Sequence, residues 1–137
     1  MKYSLHTLPQ SNSFARLPET FYSRVQPTPF EAAAELIHFN SMAAVLLDFD
    51  PAVATDPQFP AVFSGAQPLP NGDPPAMLYA GHQFGHHVRQ LVDGRAILLG
   101  ETTDARGEPW EIQLKGSGLT SYSRDGGTGL HRNRALV

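Results

Sequence analysis

A lysine at the end of one strand and a glycine-arginine pair before another are the residues best suited to chemistry. Lys115 ends the alternating segment Trp110–Lys115, and Gly94-Arg95 forms a corner before the preceding candidate strand. Because side chains alternate along a strand, the apolar residues pack inward and the lysine lies on the opposite face. Glycine lets backbone amides approach phosphate oxygens closely, while the positive charges of lysine and arginine offset the negative charge of the phosphate. The pattern predicts half of a nucleotide site.

A structural interpretation of the same residues stays open. In that interpretation Gly94 and Gly116 only turn the chain, while Arg95 and Lys115 are solvated cations. Short glycine motifs are common in turns, so residue types alone favour the structural interpretation.

Three histidines raise a metal hypothesis that the sequence does not support further. His82 and His86 would share a face if their segment were helical, and His87 follows directly. The glycines between them argue against a helix, so we expect the histidines to shape a turn and assign no metal. Ser123 is interpreted as a structural hydroxyl, because no base and orienting group stand near it in the sequence.

Composition indicates one globular domain. The 137 residues are 41% hydrophobic and 17% charged, with a net charge of -3 and no cysteine. This charge supplies no general attraction for nucleic acid or anionic membranes, and we expect neither as a partner. The sequence contains no pattern typical of a signal peptide or a bilayer span, which predicts a soluble, cytoplasmic protein.

The first half of the chain predicts an arm followed by two helices. Residues 1–27 suggest an extended arm or short helical turn laid over the core. The segment Thr28-Pro29-Phe30-Glu31 fits a capping box, and apolar residues at helical spacing continue to Ile37. A second short helix, Met42–Leu47, is expected after a cap at Asn40 or Ser41. The proline-rich segment 51–75 is interpreted as mostly loop, with one helical turn near its middle.

The second half predicts strands. Met77–Ala80 is a candidate strand, and 81–87 is a glycine- and histidine-rich bend. Arg95–Glu101 and Trp110–Lys115 are expected to pair as a hairpin with a long loop. Helices first and a hairpin later indicate an α+β fold.

Four blocks in this order resemble the selenoprotein O family. They are Asn12-Ser13-Phe14-Ala15-Arg16-Leu17-Pro18, Tyr79-Ala80-Gly81-His82-Gln83-Phe84-Gly85-His86, Asp93-Gly94-Arg95-Ala96-Ile97-Leu98-Leu99-Gly100-Glu101 and Gln113-Leu114-Lys115-Gly116. The resemblance implies the N-terminal lobe of a protein-kinase-like fold. It also implies transfer of AMP from ATP to protein hydroxyls, with ATP held in the reverse of the kinase orientation.

The resemblance implies the candidate site residues. Lys115 corresponds to the family's ATP-phosphate lysine, and Gly94 and Arg95 match its nucleotide-contacting pair. Val92 stands where the family usually has glycine. Its backbone is a candidate contact with ATP, and its β-branched side chain obstructs the close approach that glycine would allow. The glycines Gly126 and Gly127 complete the candidate ATP contacts.

The resemblance weakens after Arg124, where the family continues with an Asp-Gly-Arg motif. We therefore expect residues 1–124 to be the family-like part, and 125–137 to be a divergent tail that arises from a frameshift or truncation. The family's helix glutamate, catalytic aspartate and magnesium ligands would follow this region, so no catalytic or metal residue is assigned here. The isolated chain is expected to be inactive. The alternatives are a non-enzymatic interaction module and a non-functional truncated product.

Overall fold

A computed structural model describes residues 3–29, 32–92 and 96–123. Four of the predicted nucleotide contacts, Gly94, Arg95, Gly126 and Gly127, lie outside the described residues, as does part of the expected capping box. Lys115 and the backbone of Val92 lie within them.

Short helices and one three-residue strand precede four longer antiparallel strands. Single 3-10 turns cover Phe14–Arg16, Glu19–Phe21 and Pro51–Thr55. The α-helices are α1, Ser41–Leu46, and α2, Gln58–Phe63. The strands are β1, Tyr22–Arg24; β2, Pro75–Gln83; β3, His86–Val92; β4, Ala96–Thr103; and β5, Pro109–Lys115. This order agrees with the predicted α+β class.

The described strands form two antiparallel sheets. One has the order β1-β2-β3 and the other pairs β4 with β5, while β2 also contacts β4. The β4–β5 register shifts between Leu98 and Gly100, so Leu99 is an extra residue in β4. The predicted β4–β5 hairpin is confirmed, with longer strands and a shorter loop than expected.

The main core lies against one face of the β4–β5 hairpin. Ile112 and Leu114 of β5 are buried in it, while Glu111 and Lys115 are exposed, so the predicted alternation is confirmed. The core also takes apolar side chains from the N-terminal arm, the helical segments and β4: Leu5, Leu8, Ala44, Leu47, Phe49, Val53, Phe59, Val62, Phe63, Leu69, Ile97 and Leu99.

The helix predicted from Thr28 to Ile37 is wrong in its described part. Residues 33–40 form neither helix nor strand. A short helix is marginal unless it buries an apolar face, and the Ile37 side chain is 98% exposed. Helical spacing is therefore a misleading signal here, because Ala33 and Ile37 of the predicted stripe are exposed.

The second predicted helix is confirmed as α1. The side chain of Asn40 accepts hydrogen bonds from the backbone N–H groups of Met42 and Ala43, which identifies Asn40 as the cap.

The segment 51–75 is more helical than predicted. Asp50 caps the 3-10 turn by accepting from the N–H of Ala52 at 2.8 Å, and Pro51 occupies the first helical position. Helix α2 then buries Phe59, Val62 and Phe63. Proline is compatible with the first turn of a helix, and the buried side chains stabilise α2 by packing. The segment is therefore partly helical although its many prolines predict a loop.

The predicted bend at 81–87 is instead the end of a hairpin. Strands β2 and β3 run through it and leave a two-residue turn at Phe84 and Gly85. Both turn residues have positive φ, +52° and +79°, the conformation that lets a two-residue turn match strand twist. His82 and His87 are cross-strand partners, with ring centroids 5.4 Å apart.

Candidate active site

Strand register places Lys115 beside the strand that follows Gly94 and Arg95 in the sequence. Lys115 is the last residue of β5, and its Cα partner is Ala96, the first residue of β4. Paired Cα atoms in antiparallel strands are about 5 Å apart. The three positions 93–95 connect Val92, at the end of β3, to Ala96. Lys115 is therefore paired with Ala96, the residue that directly follows Gly94 and Arg95 in the sequence. Gly94 and Arg95 themselves are outside the described residues.

The face of the hairpin that carries Lys115 is partly covered. Leu98 and Gln113 are paired on this face, and Leu98 is fully buried although it is not part of the main core. Lys115 lies at the strand end, where its side chain is exposed. No carboxylate among the residues that the structure describes forms an ion pair with its ammonium group.

Two glutamates on the same face interact with other groups. Glu101 and Glu111 are direct cross-strand partners. Glu101 accepts from the backbone N–H of Ser13 at 2.9 Å, from its hydroxyl at 2.7 Å and, weakly, from the Ser11 hydroxyl at 3.4 Å. Glu111 accepts from the amide of Gln113 at 3.0 Å. Both carboxylates thus have partners other than Lys115.

Hydrogen bonding outweighs burial in setting the pKa of Glu101. Desolvation raises the pKa, whereas the bonds from Ser13 and Ser11 and from the backbone of Phe14 lower it, and the net direction is downward. Glu101 is therefore held as a carboxylate, with its charge directed at the N-terminal arm.

Residues 11–15, within the N-terminal arm of residues 1–27, join β4 to the loop before β2. Ser11 and Glu101 exchange backbone hydrogen bonds of 2.9 and 2.7 Å. Asn12 is buried; its side chain donates to the Asp73 carbonyl at 2.8 Å and accepts from the Ala15 N–H at 3.1 Å. The prediction of an arm over the core is confirmed. Its pairing with Glu101 was not predicted, because sequence blocks far apart in the chain carry no sign of their contact.

The loop after Lys115 has a restricted backbone. Gly116 and Gly118 have φ of +92° and +98°, a region that favours glycine, and Ser117 between them is buried. The Ser117 carbonyl accepts from the N–H of Thr28 at 2.8 Å. A Cβ at Gly118 would overlap Thr28 Oγ1, so this glycine provides room for packing.

The remaining polar candidates are placed by the β2–β3 hairpin and the lysine loop. His82 and His87 contact each other, while His86 begins β3. Within residues 3–29, 32–92 and 96–123, no three His, Cys, Asp or Glu side chains form a group that could hold a metal ion. The Ser123 hydroxyl accepts from the Thr120 N–H at 2.9 Å, which agrees with the structural role predicted for it.

Comparison with known proteins identifies the family. The family model described as "Protein adenylyltransferase SelO" matches residues 4–131, nearly the whole chain. The chain belongs to this family. The predicted resemblance to selenoprotein O proteins is thereby confirmed.

Relatives in the SelO family match the chain at about half of their aligned positions. A protein nucleotidyltransferase YdiU from Bordetella parapertussis is 54% identical over 122 residues, which are 89% of this chain and 24% of the relative. Proteins of the same name from Myxococcus xanthus and Thiobacillus denitrificans are 50% and 52% identical over 123 residues, 90% of this chain and 25% of each relative. The chain therefore spans about a quarter of the length of these curated relatives.

Lys115 is exposed and lies opposite Ala96, the first residue of β4. Val92, the last residue of β3, pairs with Leu78 of β2. In the described part of the chain, no helix is long and apolar enough to cross a bilayer.

Proposed function

We propose that this chain supplies the ATP-holding part of a protein adenylyltransferase, in the N-terminal lobe of a kinase-like fold. Lys115 binds the ATP phosphates, together with Gly94, Arg95, the Val92 backbone and the glycines Gly126 and Gly127. The observation that carries the proposal is the register that puts an exposed lysine beside the strand following the Gly-Arg corner, in a SelO family chain.

The proposed reaction transfers AMP to a Ser, Thr or Tyr hydroxyl of a protein. The hydroxyl oxygen forms a bond to the α-phosphorus of ATP, the bond between the α- and β-phosphates breaks, and pyrophosphate leaves. The hydroxyl proton passes to a base. Because negative charge accumulates on the phosphates, a fixed cation lowers the barrier by electrostatic stabilisation. The Lys115 ammonium is suited to that role as a compact point charge on a flexible stem.

The described residues do not account for magnesium, which the family resemblance implies. They provide no cluster of three metal-ligating side chains. The role proposed for Lys115 is charge compensation and orientation, and it does not depend on a metal ligand from this region. In the family, the catalytic aspartate and magnesium ligands belong to the part of the sequence beyond the resemblance, so the 137-residue chain alone is proposed to be inactive.

A chimera tests this proposal. Residues 1–123 of the chain would replace the matching segment of the Bordetella parapertussis relative, and transfer of labelled AMP from ATP to protein would be measured. We expect transfer that Lys115→Ala abolishes. Arg106→Ala is a matched control, because Arg106 is an exposed cation in the loop at the other end of the β4–β5 hairpin. Equal activity of the Lys115→Ala and parent chimeras would refute the proposal.

A second candidate is a non-enzymatic interaction module. It is favoured by the apolar side chains that α1 and the β2–β3 turn expose: Met42 is 77% and Phe84 91% exposed. Large exposed apolar side chains are typical of binding surfaces when they cluster. Partner binding that survives Lys115→Ala but not Phe84→Ser would support this candidate over the first. The further alternative of a non-functional truncated product has no specific observation in its favour.

A further inference from the structure

The dipeptide Pro27-Thr28 fills space left by two glycines from distant parts of the chain. A Cβ at Gly65, just after α2, would lie 2.5 Å from Pro27 Cβ and 3.6 Å from Leu114 Cδ2. A Cβ at Gly118 would overlap Thr28 Oγ1 and lie 2.6 Å from Thr28 Cβ. Real Cβ atoms do not approach so closely, so the dipeptide packs tightly against both sites. Leu114 precedes Lys115 at the end of β5, and Gly118 follows it by three residues.

The same dipeptide fixes the loop after Lys115 by a hydrogen bond. The Thr28 N–H donates to the Ser117 carbonyl at 2.8 Å, and Ser117 is only 1% exposed. The flanking Gly116 and Gly118 both have left-handed backbone conformations. The hydrogen bond from Thr28 and the close packing of Thr28 against Gly118 hold the loop in this path.

We propose that Thr28 is a positioning residue for Lys115. Lys115 lies between the fully buried Leu114 and a loop held by Thr28, so the direction of its Cα–Cβ bond is set from both sides. Thr28 itself touches no ligand in this proposal; it acts through the loop. The inference rests on the proposed function, in which Lys115 binds ATP phosphate. Preorganisation matters there because small misplacements of a charged group are costly in phosphoryl-type transfer.

The test uses the 137-residue chain, with backbone amide NMR signals and ATP titration in magnesium buffer as readouts. Gly118→Ala places a methyl group against Thr28 and should shift the amide signals of Lys115 and Gly116. The Kd for ATP should rise about tenfold to a hundredfold, the effect of losing one hydrogen bond to a charged group. Adding Thr28→Gly removes both overlapping atoms and keeps the N–H donor, so it should restore both readouts toward the parent values.

Gly107→Ala is the matched control. Gly107 has a similar φ of +84°, but a Cβ there meets nothing within 4 Å, and it lies in the loop at the far end of the hairpin. It should lower the melting temperature through backbone strain and leave the ATP Kd unchanged.

Two results would separate this inference from the proposed function. If Gly118→Ala leaves the Lys115 amide signal unmoved, or Thr28→Gly does not restore it, the positioning role of Thr28 is overturned. If that signal moves and is restored, but Lys115→Ala binds ATP as tightly as the parent, Thr28 positions Lys115 and the proposed function fails instead.

Discussion

Glu101→Gln should release the N-terminal arm from β4. The carboxylate accepts from the Ser13 N–H at 2.9 Å and from the Ser13 hydroxyl at 2.7 Å, both good hydrogen-bond distances, while the Ser11 hydroxyl at 3.4 Å contributes little. Glutamine removes the charge and turns an NH2 group toward one of these donors. The substitution thus keeps the shape of the side chain and removes its function as a double acceptor.

The expected magnitude follows from these two bonds. Hydrogen bonds to a charged group contribute about 1.5–3 kcal/mol each. Glu101 is only partly buried, so solvent compensates for a large share of the loss, and we expect a net cost of about 2 kcal/mol. Since about 1.4 kcal/mol corresponds to a factor of ten, local opening of the arm should become about thirtyfold more frequent.

Native-state hydrogen exchange measures this opening directly. The Ser11 amide, bonded to the Glu101 carbonyl, should exchange about thirtyfold faster in Glu101→Gln. Glu111→Gln is the control, because Glu111 lies opposite on the same face and bonds only locally to Gln113. Equal protection of Ser11 in the parent and the Glu101 variant would refute the reasoning.

The pH dependence of the same effect has a definite sign. Hydrogen bonds lower the pKa of Glu101 below its ordinary 4.5 despite opposing desolvation. Its stabilising contribution is therefore present above the ordinary value and is lost as pH falls through the lowered pKa of the folded state. The difference in Ser11 exchange between the parent and Glu101→Gln should shrink on acidification. A difference that stays constant to strongly acid pH would contradict this account.

Two further predictions concern the elements that position the site. Leu114→Ala should lower the free energy of unfolding by about 2–5 kcal/mol, because Leu114 is fully buried, whereas Leu119→Ala, at a 59% exposed position, should cost less than about 0.5 kcal/mol. Urea denaturation of both variants measures this, and similar losses would contradict the assigned core. Asn40→Ala should destabilise α1 by about 1 kcal/mol and speed exchange of the Met42 amide, and unchanged exchange would argue against the cap.

The sequence predicted local structure where hydrophobic alternation and capping agreed with burial. The β5 alternation and the Asn40 cap are of this kind, because each depends on residues close together in the chain. The prediction of a helix after Thr28 is wrong because spacing alone does not show whether other residues cover an apolar stripe. The side chain of Ile37, which belongs to this stripe, is exposed. The β2–β3 turn was missed because Phe84 adopts a positive φ that its residue type does not suggest.

The candidate site was predicted mainly from resemblance. Lys115 could be assigned to the exposed face of β5 from alternation, but its proximity to Ala96 depends on strand pairing across the hairpin. The contacts of Thr28 with Ser117 and of Ser13 with Glu101 join segments about 90 residues apart in sequence. Such long-range contacts leave no periodic signal in one sequence, so only the folded chain reveals them.

The most direct test of the account is acylation by an acyl phosphate of ATP, which reacts with an amine beside the nucleotide phosphates. The chain suits this measurement because its only lysines are Lys2 and Lys115, and Lys2 serves as an internal control. Peptide mapping by mass spectrometry should find the label on Lys115, with protection by excess ATP and no such protection at Lys2. Absence of label on Lys115, or labelling that excess ATP does not reduce, would contradict the claim that Lys115 binds the phosphates.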